Sequence, residues 1–375
     1  MANKNLTNAK KIKNDEFYTQ YIDIQKEIEA YLKYNPNVFR RKVIYCNCDD
    51  PFESNFFRYF VLNFNKLGLK QLITTSYKPS PVANTQLGLF GDDITLVKVK
   101  GRPKITANKF IINEVKDLDG DGEFNLKDVA KQLRANKHNE WTPLEGDGDF
   151  RSKESVDLLK QSDIVVTNPP FSLFREYIKQ LVDYDKKFLI IGSMNALKYA
   201  NIFPLIKDNK IWLGVSSGAK TFIKPDGTEQ KMGNTCWFTN LDHGRRHQPL
   251  PLMTKAEIIK FVTKKPFQKY DNYDAIEVSQ VKNIPSDYGG AMGVPISFLD
   301  KYDPEQFEII GLGQGNLYRE LTPKGLNQKF VDNYYKNGGT GLIKEDHPIL
   351  GYYDEDGKAT IPYMRIIIKH RKKIK

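Results

Sequence analysis

Three cysteines in 375 residues, Cys46, Cys48 and Cys236, are too few for a disulfide framework. The lone Cys-x-Cys has no second Cys or His pair at zinc-site spacing, so all three read as small buried apolar residues. Long hydrophobic runs are missing too. No window approaches 18 uninterrupted apolar residues, which excludes a membrane-spanning helix. The start MANKNLTNAKKIKN carries charge but lacks the apolar stretch of a secretory signal, so the expectation is a cytoplasmic protein with no membrane partner. Acid is absent from both ends. Lys4, Lys10, Lys11 and Lys13 stand without acids in the first 13 residues, as do Arg365, Lys369, Arg371, Lys372, Lys373 and Lys375 in the last 11. These ten account for most of the net charge of +11. Such ends either track the phosphates of a polyanion or serve as solvated tails.

What is present suffices for a packed core: 40% of residues are apolar and 12% aromatic. The length fits two domains, or one domain with an added module. Apolar residues at helical spacing predict a helix after residue 20, and "KVIYCNC" (42–48) predicts a buried strand. "PFESNFFRYFVLNFNKLG" (51–68) reads as one aromatic-rich helix and "KQLITTSY" (70–77) as a second strand, completing a β-α-β unit. Residues 78–145 read as an insertion of hairpins, turns and one helix. Alternation then resumes through "ESVDLLKQ", "DIVVTN", "FREYIKQLVDY", "KKFLIIGSM" and "NKIWLGV". Strands alternating with helices predict a parallel, doubly wound α/β sheet built from 40–77 and 146–240, followed by irregular α+β structure.

One stretch ties this fold to chemistry. The strand "DIVVT" ends at Asn168-Pro169-Pro170-Phe171, and ligands of open α/β sheets sit beyond the carboxyl ends of strands. The exocyclic amine of a nucleobase is a poor nucleophile because its lone pair is delocalised into the ring. Two acceptors for its hydrogens, the Asn168 side-chain oxygen and the Pro169 carbonyl, make it more reactive as charge develops. Phe171 offers a ring for the base to stack on. No catalytic metal is required.

Residues 163–171 resemble the catalytic motif of S-adenosylmethionine-dependent amino-methyltransferases. The chain as a whole is similar to the EcoRI-type adenine-specific DNA methyltransferases. The similarity runs through "NDEFYTQ" (14–20), "VIYCNCDDP" (43–51), "GDGDFRSKES" (146–155), "DIVVTNPPFSLFREY" (163–177), "KFLIIGSMN" (187–195) and "MGVPISFLDKYDPEQFEIIG" (292–311). The resemblance implies a Rossmann-like class I methyltransferase sheet with an inserted hairpin and helix segment and a C-terminal α+β DNA-recognition region. It implies an N-terminal arm and cofactor-motif helix over 1–40, a catalytic domain over 41–240 and target recognition over 241–375. It implies methylation of adenine N6 in double-stranded DNA, beside a restriction endonuclease that acts on the same site without being bound, or as a solitary activity. RNA bases and protein glutamine remain alternative substrates of such turns.

By the same resemblance, Asn168, Pro169, Pro170 and Phe171 hold the flipped adenine, with Asp163 at the start of the strand behind them. Phe17, Tyr18 and Thr19 cover the methionine end of the donor. Asp49 and Asp50 stand near its amino group, and Asp149 and Phe150 near its adenine. The chain departs from many methyltransferases in having "CNCDDP" in place of a glycine-rich loop. No acid ends the second strand, so the ribose contact is unassigned.

Three further segments stand apart. "DLDGDGEFNLKD" has calcium-loop spacing, with Asp117, Asp119, Asp121, Glu123 and Asp128 as the candidate acids, although Asp rather than Glu ends it. It reads as a structural Ca2+ clip or as an acidic turn capping the next helix. "TQLGLF" (85–90) resembles the peptide that docks bacterial replication and repair proteins on the sliding clamp, through residues 86–90, or is a hairpin strand. "HGRRH" (243–247) reads as an exposed basic loop in which Arg245 and Arg246 contact DNA.

Overall fold

The computed structural model describes residues 18–48, 54–76, 107–117, 138–224, 228–321 and 324–371, with only the backbone of two short strands near residues 85 and 97. The described chain divides by its contacts into two units. One runs to Leu197 and resumes over Leu213–His243; the other holds Lys198–Trp212 and continues from Gly244.

In the first unit, β1 (Tyr18–Thr19) leads into α1 (Tyr21–Tyr34). All four residues of β2 (Val43–Cys46) are buried, as an unbroken apolar run demands of a strand covered on both faces. α2 (Asn55–Leu62) begins at Ser54, whose side chain accepts from the Phe56 N–H. α3 (Phe64–Leu67) ends at Gly68, in the left-handed conformation at φ 62°. The single helix expected over 51–68 is therefore interrupted. At the break, the Asn63 amide donates to the Tyr59 carbonyl at 2.9 Å. β3 (Gln71–Thr75) then pairs parallel with β2.

β4 (Thr85–Leu87) and β5 (Leu96–Lys98) pair antiparallel as a separate two-stranded ribbon. β6 (Asn108–Ile112) and β7 (Glu140–Pro143) correct the expectation that the insertion stands outside the sheet. β6 pairs antiparallel with β3, and β7 with β6. Burial alternates along β6, and Phe110 stacks on Trp141 at 5.1 Å, so this antiparallel strand pair buries its apolar face by extending the main sheet.

α4 (Lys153–Gln161), β8 (Ile164–Thr167), α5 (Phe174–Asp183), β9 (Lys187–Ser193), β10 (Trp212–Ile223) and β11 (Glu229–Thr239) complete the unit. The sheet order is β1-β10-β11-β9-β8-β2-β3-β6-β7. β9, β8, β2 and β3 are mutually parallel, and β11 joins β9 antiparallel. This is a mixed α/β sheet consistent with a class I methyltransferase. The chain leaves β2 for β3 on one side and reaches β8 on the other, so the order reverses between β2 and β8, where such sheets bind ligands.

The second unit contains α6 (Phe203–Lys207) and a four-stranded sheet. Its strands are β12 (Ala275–Glu277), β13 (Ala291–Pro295), β14 (Phe307–Leu312) and, beyond the small ribbon β15 (Tyr352–Tyr353) and β16 (Ala359–Thr360), β17 (Arg365–His370). The order β12-β13-β17-β14 places β17 inside the sheet. α7 (Gln328–Lys336) packs Phe330 and Val331 with Leu326 and Ala359 in a small core of its own.

The position of β17 corrects the reading of the C-terminus as a basic tail. Ile366, Ile367 and Ile368 are fully buried. Arg365 donates to Glu277 Oε1 at 2.6 Å, with both side chains nearly enclosed, and the Tyr270 hydroxyl donates to the same carboxylate. A buried charge needs such a partner, and this arginine is committed to it. Lys372, Lys373 and Lys375 lie outside the described residues. No helix among the described residues is long and apolar enough to cross a membrane.

Candidate active site

β8 is buried along its whole length, and two prolines follow Asn168 where ladder hydrogen bonds must stop. Phe171–Leu173 forms one 3-10 turn that runs into α5. Asn168 through Phe171 thus spans the gap between a central strand and the first turn of a helix, at the reversal point of the sheet. The Asn168 Oδ1 is shielded from solvent. Phe171 is half-buried, and its ring meets the ring of Phe222 edge-on at 6.4 Å and 89°.

Phe222 also links this turn to the N-terminal motif. β1 pairs with β10 through Tyr18–Ile223 and Thr19–Phe222. Asn55, at the start of α2, donates its amide to the Thr19 carbonyl at 2.8 Å. Two motifs 150 residues apart in sequence are thereby brought to one edge, with Phe222 between them. The Thr19 hydroxyl is buried and has no hydrogen-bond partner among the described residues.

The end of β2 is tied to the same place. Asn47, next after the strand, is 1% exposed. Its carbonyl accepts from the Thr167 hydroxyl at the end of β8, and its Oδ1 accepts from the Tyr177 hydroxyl of α5. Tyr177 meets Phe150 edge-on at 5.0 Å, and Gln180 Nε2 donates to the Phe150 carbonyl at 3.0 Å. Phe150 is buried in this contact. Gly148 has φ 79°, and a Cβ there would lie 2.1 Å from the Ser76 carbonyl oxygen. Only glycine lets the segment before Asp149 pass this close to the end of β3.

Asp149 is half-buried and takes Arg151 Nη2 at 2.6 Å and Nε at 2.9 Å, while Arg151 also reaches Glu176 at 2.9 Å. The Arg151 guanidinium holds the Asp149 carboxyl below its usual value despite partial burial. Asp149 is therefore a fixed anion, held by Arg151.

Asp163 is not part of this constellation. Its Oδ2 accepts from the Val43 N–H at 2.7 Å, joining the starts of β8 and β2. Five residues of extended chain, about 16 Å, separate it from Asn168. Adjacency in the motif misled the sequence reading, because the two ends of a strand face opposite ends of the sheet.

"HGRRH" is also corrected. Arg246 is 7% exposed, with its guanidinium 3.6 Å from the centre of the Trp212 ring and a hydrogen bond to Asn209 Oδ1. Arg245 pairs with Asp300 at 2.6 Å. His243 is buried, its Nε2 3.0 Å from the Leu213 carbonyl oxygen. The segment is a short 3-10 turn whose cations are used internally, not an exposed basic loop.

Phe17, Asp49, Asp50, Lys4, Lys10, Lys11 and Lys13 lie outside the described residues, as do Asp119, Asp121, Glu123 and Asp128. Asp117 is exposed at the end of a described segment. Among the described residues no three or more His, Cys, Asp or Glu side chains gather as a metal would require. Sequence reasoning missed Asn47, Tyr177 and Phe222. A polar residue closing an apolar run at a strand's carboxyl end was the available signal for Asn47; for the other two, nothing local distinguished them from core.

The family described as adenine-specific methyltransferase EcoRI matches residues 5–371. The chain is 44% identical to the type II methyltransferase M.EcoRI of Escherichia coli over 343 residues, 86% of this chain and 94% of that protein. It is 38% identical to the type II methyltransferase M.MpnI of Mycoplasma pneumoniae, over 98% of each chain. Against the type II methyltransferase M.MgeORF184P of Mycoplasma genitalium it is 36% identical, over 80% of this chain and 84% of that one. No solved structure matches it significantly. The match spans nearly the whole sequence, and the chain belongs to the EcoRI family of adenine-specific methyltransferases.

Proposed function

We propose that this chain methylates N6 of an adenine extruded from double-stranded DNA, as the modification enzyme of a type II restriction-modification system. The observation that carries this reading is the position of Asn168–Phe171: a solvent-shielded amide oxygen and a rigid proline carbonyl at the reversal point of the sheet, beside an aromatic ring. Family membership implies S-adenosylmethionine as donor. The orphaned Thr19 hydroxyl fits a bound polar ligand at this edge. Tyr18, Thr19, Asn47 and Asp149 border the space it would take, and Phe17, Asp49 and Asp50 belong to the same set by resemblance. When bound, the donor supplies an electrophilic methyl group.

The protein's own part is positional. Asn168 Oδ1 and the Pro169 carbonyl accept the two amine hydrogens, which raises electron density on N6; one of those protons would pass to water as the N–C bond formed and the donor's S–C bond broke with its electron pair left on sulfur. Phe171 stacks on the extruded base and offsets part of the few kcal/mol that unstacking costs. The N-terminal lysines track phosphate; Arg246, buried on Trp212, does not. Action is cytoplasmic, where the DNA is, and the nuclease of the system competes for the same site without binding this protein.

The expected result of single-molecule sequencing of DNA from cells expressing the chain is N6-methyladenine at one short sequence. Radiolabel transfer to RNA or protein but not to DNA overturns the reading.

Two accessory interactions belong to this proposal and rest on sequence pattern alone. The loop from Asp117 to Asp128 binds one Ca2+ as a structural clip, and residues 86–90 dock on a bacterial sliding clamp. Calorimetry with calcium and with purified clamp is expected to show heat that Asp117→Ala and Phe90→Ala respectively abolish. An absence of heat with the parent chain removes either interaction.

A further inference from the structure

At the amino ends of β2 and β3, opposite the candidate site, the turn before each strand packs against the other. The Arg41 N–H donates to the Gly68 carbonyl at 2.7 Å, and the Lys70 N–H donates to the Lys42 carbonyl at 3.0 Å. The Arg40 stem lies over Gly68, 3.4 Å from where a Cβ there would stand. These contacts gather Arg40, Arg41, Lys42, Lys66 and Lys70, all exposed, at one end of the sheet. No acid occurs among residues 30–48 or 54–76. Among the described residues, no hydrogen bond or ion pair engages any of these five side chains. The acids that border them have donors of their own: Asp163 the Val43 N–H at 2.7 Å, Asp242 the Tyr34 hydroxyl at 3.3 Å, and Glu114 the Lys116 ammonium at 2.8 Å. Elsewhere in this unit surface charges stand in pairs of opposite sign, as in Lys109–Glu154, Lys160–Asp157 and Lys179–Asp183.

Five cations held on two packed turns repel one another. Arg41 also keeps its place at φ 57°, a left-handed conformation that glycine or asparagine adopts at lower cost. A polyanion offsets that repulsion, and release of its condensed counterions drives the association. Its source follows from where the face lies. Asn168–Phe171 stands at the carboxyl end of β8, and the cations stand at the amino ends of the parallel strands β2 and β3. The four residues of β2 alone span about 13 Å. Duplex DNA is stiff over roughly 150 base pairs, so a segment seated at one end of the sheet cannot bend round to the other. A separate segment of the same long molecule can reach it, and the tether gives that segment a high effective concentration.

We propose that Arg40, Arg41, Lys42, Lys66 and Lys70 hold the phosphates of a second segment of duplex DNA, whatever its sequence, while the target segment occupies the opposite end of the sheet. This rests on the reading that duplex DNA is the substrate. The test uses the full chain saturated with a short duplex carrying the site found by sequencing. The parent should then bind a fluorescent duplex that lacks the site, without displacing the first. Joint replacement by Arg40→Gln, Arg41→Gln, Lys66→Gln and Lys70→Gln should weaken this second binding by about tenfold or more, and the slope of its log affinity against log salt should fall by about three. Methyl transfer to the short duplex should stay within about twofold of the parent, because the four residues lie far from the candidate site, and it also reports an intact fold. Exchange of arginine for lysine and lysine for arginine at the same four positions should keep the second binding. Absence of a ternary complex with the parent, parental second binding by the glutamine variant, or capture of phosphatidylglycerol vesicles in place of the second duplex overturns the inference while leaving DNA methylation standing. Failure of the parent chain to methylate DNA removes both.

Discussion

Asn168→Ala is expected to lower the single-turnover rate of methyl transfer by about a hundred- to a thousandfold, with little change in donor affinity. Loss of one positioned hydrogen-bonding group in a site that acts by electrostatic stabilisation has that size, about 3 to 4 kcal/mol in the barrier. In the proposed mechanism the effect falls on the chemical step, because there the side chain meets the amine only after the base has left the helix. The strand that carries it stays in place, since β8 is held by β2 and β9 on either side and by the Thr167 bond to Asn47. Rapid-quench kinetics on a duplex substrate, beside equilibrium titration with S-adenosylmethionine, makes the separation. A parental rate in the variant would dismiss the paired-acceptor mechanism, and a matching loss of donor affinity would show that Asn168 shapes the donor pocket instead.

The strand and turn that carry the candidate site could be read from the sequence because their signals are local. An unbroken apolar run such as "DIVVT" must be a strand buried on both faces, and consecutive prolines must end it. The alternation from β2 to β3 and from α4 through β9 followed from the same reasoning, whereas the antiparallel joining of β11 to β9, which makes the sheet mixed rather than parallel, did not. What escaped notice depends on pairing across long separations. β6 and β7 look like an isolated hairpin until β3 is seen to lack a neighbour on that side. Arg246 and Arg365 look like surface cations because charge says nothing of a Trp212 ring or a Glu277 carboxylate that folding brings to them. The three isoleucines beside Arg365 were a fair sign of a buried strand, outweighed by the cations around them. Asp163 shows the opposite error, in which a residue inside a motif was given the role of the motif although its side chain staples the far end of the strand. Phe222 carries no local mark at all; pairing of β1 with β10 makes it the link between the turn and the N-terminal motif.

That link depends on a buried carboxyl group, and its removal is expected to cost the fold heavily. Glu27 of α1 is fully buried. It accepts from the Val215 N–H at 2.6 Å, the Ser216 N–H at 2.8 Å and the Ser216 hydroxyl at 2.7 Å, fastening the helix to β10. Gly214 is required beside it, since a Cβ there would stand 2.2 Å from Glu27 Oε1. Glu27→Ala takes the carboxyl acceptor from two part-buried backbone N–H groups and leaves a cavity in its place, and about 3 to 5 kcal/mol of unfolding free energy should go with it. β10 carries Phe222 and is itself the strand that pairs with Thr19, so donor binding should weaken in the same variant. The loss also depends on pH. Burial, more than the opposing bonds from Ser216 and Val215, raises the Glu27 carboxyl above its usual value. A raised folded-state value means the folded protein holds this proton more tightly than the unfolded chain. Its contribution is complete below the unfolded value of about 4.3 and declines as pH rises through the folded one. The gap between the parent and Glu27→Ala should therefore be wider at about pH 5 than at about pH 8 in urea unfolding. A gap that widens with pH would mean that the three donors outweigh burial and that the carboxylate is held ionised.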